Sequence, residues 1–311
     1  MSVMRIAVAG TGGLGRLIAH YIDADTSHHI VLLSRSEQPQ LASAGYQVVV
    51  VDYENPETLQ YALHGIDTVI STVTGESQIV LIKAAVAARV RRFTPAEFGG
   101  RPHLCSANDP FDRGRAAARQ WLNHYAQQIQ STIFVCGVLY ERFQPGGLQQ
   151  SRIGIDSGIG GEGDYMMDCR NMTASVPAYN PNYEPNVTIC MTAAQDVARF
   201  VVKSLDLRTW PPELLMCGGR VPVKDLVMLV QRLKGQTFDV QWHDPTTLRA
   251  ELQVATAQNN RARQLRIQAL IDTAEGCYDF TQPNLNQYFN NMRPMDFATW
   301  FVRKWNSQTL S

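Results

Sequence analysis

The 311-residue chain is poor in lysine. Five lysines (83, 203, 224, 234 and 304) stand against 23 arginines. With 28 acidic residues the formal charge is zero, so the chain as a whole is not drawn toward nucleic acid or an anionic membrane surface. No apolar run reaches the length that spans a bilayer. The opening MSVMRIAVAG enters a strand at once, which leaves no room for a secretory leader. Six cysteines, at 105, 136, 169, 190, 217 and 277, form no C-x-x-C and stand at no zinc-ligand spacing with a histidine. They read as reduced thiols of a cytoplasmic protein, with no metal. There is no internal repeat. The nearest thing to low complexity is SGIGGEGD (157–164), which reads as a surface loop, with a lid as the alternative.

What the chain does have is enough apolar residue, 45%, to build a core. The first half alternates strand and helix. MRIAVAG (4–10), HIVLLSR (29–35), YQVVVVDY (46–53), DTVISTV (67–73), RRFTPAEFG (91–99) and STIFVCG (131–137) read as strands or strand-then-loop. Between them, Leu14, Ile18 and Ile22 mark one helix face. ENPETLQYALHG (54–65) has Asn55 as N-cap and Pro56 in the first turn. QIVLIKAAVAARV (78–90) and 112–128 complete the helices. Strands this apolar are buried on both faces, as in a parallel sheet covered by helices. The rhythm breaks near residue 145. Beyond it, 192–207, 223–235 and 261–274 read as helices, and ELLMCGG (213–219) as a return to the sheet. The expected fold is α/β, a doubly wound parallel sheet with a smaller, mostly helical C-terminal lobe. The expected division is a dinucleotide-binding domain over 1–145 with returns at 190–219, and a substrate lobe over 146–189 and 220–311.

Gly10, Gly12 and Gly15 spell G-x-G-x-x-G at the end of a strand and the start of a helix, the context in which that pattern binds dinucleotides. The loop Gly10, Thr11, Gly12, Gly13, Leu14, Gly15 would approach a pyrophosphate, and the helix N-terminus would face it with free N–H groups. The second strand ends Ser34-Arg35-Ser36 and not in the acid that binds a ribose 2′-hydroxyl. An arginine there can pair with a 2′-phosphate, which predicts NADP(H) over NADH; an ordinary surface arginine is the alternative. Asp52 reads either as an adenine contact or as a turn cap.

GTGGLG, LLSR, VVVVDYENPETLQYALHGIDTVIST, QIVLIKAAVAARVRRFTPAEFGG and TAAQDVARFVVKSLDL together resemble the NmrA-like and isoflavone-reductase-like proteins, atypical members of the short-chain dehydrogenase/reductase superfamily. The likeness is strongest through residue 100, and thin across 146–190 and beyond 235. RRFTPAEFGG is similar to the family's R-F-x-P-S-E-F-G, whose loop lies beside the nicotinamide. The resemblance implies that Thr72, Thr74, Gln78, Pro95, Glu97 and Phe98 line that half of the site. The superfamily's Tyr-x-x-x-Lys is absent: none of the eleven tyrosines has lysine four residues on. The family's reductases resemble one another in one lysine, in a pattern like K-x-x-x-R-x-x-L. Setting Arg119 and Leu122 on that pattern places Arg115 at the lysine position.

Arginine stays charged and is a poor general acid, so Arg115 suits binding and electrostatics rather than proton donation. A solvated helix face made of Arg113, Arg115 and Arg119 is the alternative. If a proton moves, His103 and Tyr140 are the candidates, with a solvated loop histidine and a packed tyrosine as the plain readings. Glu141 follows Tyr140 at the same edge. Met166, Met167, Met172 and Met191 read as core filling or as the lining of a lipophilic pocket. Arg261, Arg263 and Arg266 read as a solvated helix face. The resemblance implies an NADP(H)-dependent reductase of a small, largely apolar, aromatic or polyketide-like secondary metabolite. A non-redox enzyme on the same scaffold and a dinucleotide-sensing regulator are the alternatives.

Overall fold

The structure, a computed structural model, describes residues 3–105 and 110–306. The chain divides into two compact units. The first takes residues 1–98, 112–134 and 198–214, and the second takes 99–111, 135–197 and 215–311.

The first unit is built on six strands: β1 (Arg5–Ala9), β2 (His29–Ser34), β3 (Gln47–Val50), β4 (Thr68–Ser71), β5 (Arg92–Thr94) and β6 (Gln130–Ser131). Their order in the sheet is β3-β2-β1-β4-β5-β6, and every pairing is parallel. This is the doubly wound Rossmann arrangement, with its topological switch point between β1 and β4. Successive residues Ile6, Ala7, Val8 and Ala9 all have no exposed surface, as does the Val31-Leu32-Leu33 run beside them. Both faces of the sheet are therefore covered, which is why the strands read as continuous apolar runs. The connecting helices are α1 (Gly13–Asp25), α2 (Pro39–Ser43), α3 (Pro56–Ala62), α4 (Glu76–Ala87) and α5 (Arg115–His124). Leu14, Ile18 and Ile22 form the buried stripe of α1, and Asn55 caps α3 by accepting the Glu57 N–H. Buried Arg92 ties the returning segment to the sheet, giving Nη1 to the Leu205 carbonyl at 3.1 Å and Nη2 to that of Arg208 at 2.9 Å.

Two elements differ from their expected extent. The helix expected over 112–128 begins only at Arg115, because Arg113 (φ +46°) and Gly114 (φ +81°) hold left-handed backbone before it. The single strand expected over 131–137 is two: after Ser131 the Ile133 N–H turns to the Pro212 carbonyl at 3.1 Å, and Ile133–Val135 pairs with Glu213–Leu215 instead.

The second unit holds two three-stranded sheets besides its helices. One orders Met167–Asp168, Thr173–Pro177 and Asp239–His243; the other orders Gly219–Pro222, Thr188–Thr192 and Val138–Leu139. Helices Val223–Lys234, Pro245–Ala257, Arg261–Ala274 and Phe297–Asn306 complete it. Met166, Met167, Met172 and Met191 are all buried in its core beside Phe143, Phe297 and Trp300, so these methionines fill space. SGIGGEGD is held down: Asp164 pairs with Arg266 at 2.6 Å and Glu162 with Arg170 at 3.0 Å. Arg266 is thus a tie and not a bare solvated charge. The reading of six reduced thiols is corrected as well. Cys105 and Cys277 form a disulfide, while Cys136, Cys169, Cys190 and Cys217 are free. The pair is 172 positions apart, a separation that leaves no spacing motif to find. Among the described residues no helix is long and apolar enough to cross a membrane, and no group of side chains could hold a metal ion.

Candidate functional site

The carboxyl edge of β1, β4 and β5 gathers most of the candidate residues in the first unit. β1 ends in Gly10, whose φ of +100° is open to glycine alone in practice, and whose N–H donates to the Leu33 carbonyl at 3.0 Å. A Cβ on Gly10 would stand 2.3 Å from Thr72 Oγ1, and one on Gly15 would stand 2.2 Å from the Gly10 carbonyl oxygen. These glycines let α1 and the end of β4 close on the loop. Gly12 caps α1 with no side-chain acceptor, and no acid stands in the first turn. The first-turn N–H groups and the positive end of the helix dipole are left for an anion. Thr72 is fixed by its N–H and hydroxyl, which both donate to the Ala9 carbonyl, at 2.8 and 2.9 Å.

Beside the loop, β2 ends in Ser34, which is buried, and Arg35, which is exposed. Asp52 resolves to the turn-cap reading, accepting the Glu54 N–H at 2.9 Å. Tyr53 is buried with its hydroxyl unpartnered; burial pushes its phenol up to about 12, against the pull of the Arg35 charge.

At the ends of β4 and β5 a second group converges. Gln78 has no exposed surface; its Oε1 accepts the Ala96 N–H at 2.6 Å, and its Nε2 has no partner. Thr94 Oγ1 and Glu97 Oε2 are also buried without a partner. Glu97 Oε1 accepts from Arg119 Nη1. Burial pushes the Glu97 carboxyl up, and the charges of Arg119 and Arg115 oppose it. Thr74 and Phe98 are half-buried at the same strand ends, and Pro95 is buried. The turn into α5 packs on this edge: the Gly75 N–H donates to the Arg113 carbonyl at 2.8 Å, and a Cβ on Gly114 would lie 3.2 Å from Gly75 Cα. Asp112 caps the helix, accepting the Gly114 and Ala116 N–H groups at 3.0 and 2.7 Å. Arg115 therefore starts the helix within electrostatic reach of Glu97, and Arg119 is an ion-pair partner and not part of a solvated face.

His103 and Tyr140 belong to the second unit. His103 is exposed on the turn Pro102–Leu104. Tyr140 has no exposed surface. Its hydroxyl donates to the Met295 carbonyl at 3.2 Å, its ring meets Phe297 edge-on at 5.2 Å, and burial raises its pKa well above the usual phenol. The phenol is thus enclosed in the core of the second unit. Glu141 is buried too, both carboxylate oxygens accepting the Ala194 N–H at 3.1 and 3.0 Å. Sequence reasoning missed Thr94, Tyr53, Arg16 and the bond of Arg119 to Glu97. Of these only Arg16 left a trace, a cation in the first turn of a helix, where the dipole disfavours it.

The orphaned donors and acceptors and the open helix end fit a polar cofactor. A family model described as NAD(P)H-binding matches residues 9–161. Oxidoreductase swnR of Arthroderma benhamiae is 33% identical over 238 residues, 73% of this chain and 73% of the relative. Among solved structures, an isoflavone reductase superposes with a TM-score of 0.72 at 16% identity, over 97% of this chain and 99% of that one. A binary complex of leucoanthocyanidin reductase with NADPH from Vitis vinifera gives 0.71 at 21% identity, over 96% and 98%. The chain belongs to the family of oxidoreductases that includes swnR, with an NAD(P)H-binding domain, and it shares the fold of the isoflavone and leucoanthocyanidin reductases.

Proposed function

We propose that this protein is an NADP(H)-dependent reductase of a small, largely apolar metabolite of aromatic or polyketide type, with the cofactor bound at the carboxyl edge of the sheet. The observation that carries the reading is the set of three buried, unpartnered polar atoms, Gln78 Nε2 in the first turn of α4, Thr94 Oγ1 at the end of β5 and Glu97 Oε2 in the loop after it. Buried polar atoms are paired in the great majority of proteins, so orphans gathered at one edge speak for a ligand that completes them. The leucoanthocyanidin reductase of this fold, solved as a binary complex with NADPH, supports the choice of cofactor.

When bound, NADPH supplies a hydride. The chain's own residues do the rest. Gly10, Thr11, Gly12, Gly13, Leu14 and Gly15 hold the pyrophosphate through backbone N–H groups. Arg35, with Ser34 and Ser36, receives the 2′-phosphate. Thr72, Thr74, Gln78, Pro95, Glu97 and Phe98 form the nicotinamide wall, with Thr94 as a further buried donor. Arg115 stays charged and steadies a developing oxyanion without giving up a proton. His103 is the proposed source of the proton, as a loop imidazole able to act as a general acid.

Calorimetric titration with NADPH, NADP⁺ and NADH tests this. NADPH is expected to bind at least about tenfold tighter than NADH, and Arg35→Ala to remove that preference, as loss of a charge-assisted pair worth about 1.5–3 kcal/mol requires. An unchanged preference in Arg35→Ala would defeat the assignment. A second reading, a non-redox enzyme such as an isomerase, cyclase or dehydratase, draws on arginine in the lysine's place. Substrate turnover with no change in nicotinamide absorbance would favour it. A strong preference for one redox form of the cofactor with no turnover would favour a sensor.

A further inference from the structure

We infer that Arg16, in the first turn of α1, is a second cation for the cofactor's 2′-phosphate and sets nucleotide choice together with Arg35. The inference rests on the NADP(H) reading above. A positive side chain in the first turn of a helix faces the positive end of the dipole, which disfavours it unless an anion is near. The first turn of α1 carries no acid, and Arg16 forms no ion pair among the described residues. It is nonetheless held in one direction. Its Nε donates to the Thr11 carbonyl at 2.8 Å and its Nη2 to Gln38 Oε1 at 3.3 Å. Gln38 in turn gives its Nε2 to the hydroxyls of Ser34 and Ser36, each at 3.3 Å. This chain of bonds anchors the guanidinium at the end of β2, beside Ser34-Arg35-Ser36, and leaves Nη1 without a protein acceptor among the described residues.

A second observation is independent of Arg16. Tyr53 is only 7% exposed, its hydroxyl has no partner, and it lies close enough to Arg35 to feel its charge. Arg35 is exposed and likewise forms no ion pair among the described residues; Glu37, on the same turn, pairs with neither arginine. Two cations without counter-ions, two serine hydroxyls and a buried orphan phenol thus gather at one strand end. A ribose 2′-hydroxyl asks for a carboxylate here, and a dianionic 2′-phosphate asks for this set.

A purely structural role is the alternative, in which Arg16 staples the glycine loop to the β2 turn. Equilibrium binding of NADPH, NADH and 2′,5′-ADP to Arg16→Gln separates the two. A phosphate contact predicts that NADPH and 2′,5′-ADP weaken about tenfold or more while NADH changes less than twofold. It also predicts that the wild-type preference for NADPH falls with salt. A staple predicts equal weakening of NADPH and NADH, and that result overturns the inference. If Arg16→Gln does not fold, Gln38→Ala, which frees the guanidinium, is read by the same ratio: a fall of about threefold supports the inference and no change overturns it. Arg35→Ala run alongside keeps the two ideas apart. Preference lost in Arg35→Ala but kept in Arg16→Gln sinks Arg16 alone. No preference in the wild type sinks the NADP(H) reading and this inference with it.

Discussion

Glu97 and Glu141 are both buried carboxylates that follow strands, and their partners set them apart. Glu97 keeps one oxygen on Arg119 and the other on nothing, at the edge where the cofactor is proposed to lie. Glu141 spends both oxygens on the Ala194 N–H, so its role is to cap the helix Ala194–Ser204. Burial pushes Glu141 from the usual 4.5 up to about 7; the Lys304 charge pulls it down and that of Asp196 pushes it up. A folded-state value above the unfolded one means stability that is complete below about pH 4.5 and is lost as pH rises through about 7. Wild type is therefore expected to lose stability relative to Glu141→Gln between pH 4.5 and 7, by about 1–3 kcal/mol in all, and to run parallel above it. Melting curves of the two proteins from pH 5 to 8 check this, and a difference independent of pH would refute it.

Helix α5 shows how an element inherits its position from its ends. Its start is fixed by the left-handed Arg113-Gly114 pair and by Asp112, whose carboxylate takes two of the first free N–H groups. That cap is worth about 0.5–2 kcal/mol. Asp112→Ala is expected to lose that much in urea denaturation, while Asp112→Asn, which keeps an acceptor, loses little. Equal losses in the two would show that charge and not the acceptor matters. The apolar pattern of α5 was legible, since Ala118 and Leu122 are its buried face. Its first residue was not, because the backbone angles before it are set by packing against Gly75. Arg115 gains its place near Glu97 from that packing.

At the scale of the whole molecule, the chain enters the second unit three times, and the disulfide joins two of those visits. Cys105 comes from 99–111 and Cys277 from 215–311. Around them the Arg101 N–H donates to the Cys277 carbonyl at 2.8 Å, and a Cβ on Gly100 would lie 2.4 Å from that oxygen. A cross-link over so long a stretch of chain restricts the unfolded state, by about 2–4 kcal/mol in typical cases. Cys105→Ser is expected to melt lower than oxidised wild type and to coincide with wild type in reductant. Wild type that melts at the same temperature with and without reductant would contradict this.

The amino-acid order determined, by itself, everything written in short-range periodicity. Strands buried on both faces show as continuous apolar runs, Leu14-Ile18-Ile22 shows as a stripe, and the glycine spacing shows a loop that must bend where β1 ends. Those local rules lead to a doubly wound parallel sheet, and the order β3-β2-β1-β4-β5-β6 satisfies them. Only the tertiary structure decided the pairs that join distant positions: Glu97 with Arg119, Arg16 with Gln38, Cys105 with Cys277, and Tyr140 with Phe297 and Met295. A side chain's partner across 22 to 172 positions leaves no period in the sequence. Whether a polar atom is buried depends on all that packs around it, so Tyr140 as core and Thr94 as orphan emerged only once the chain was folded.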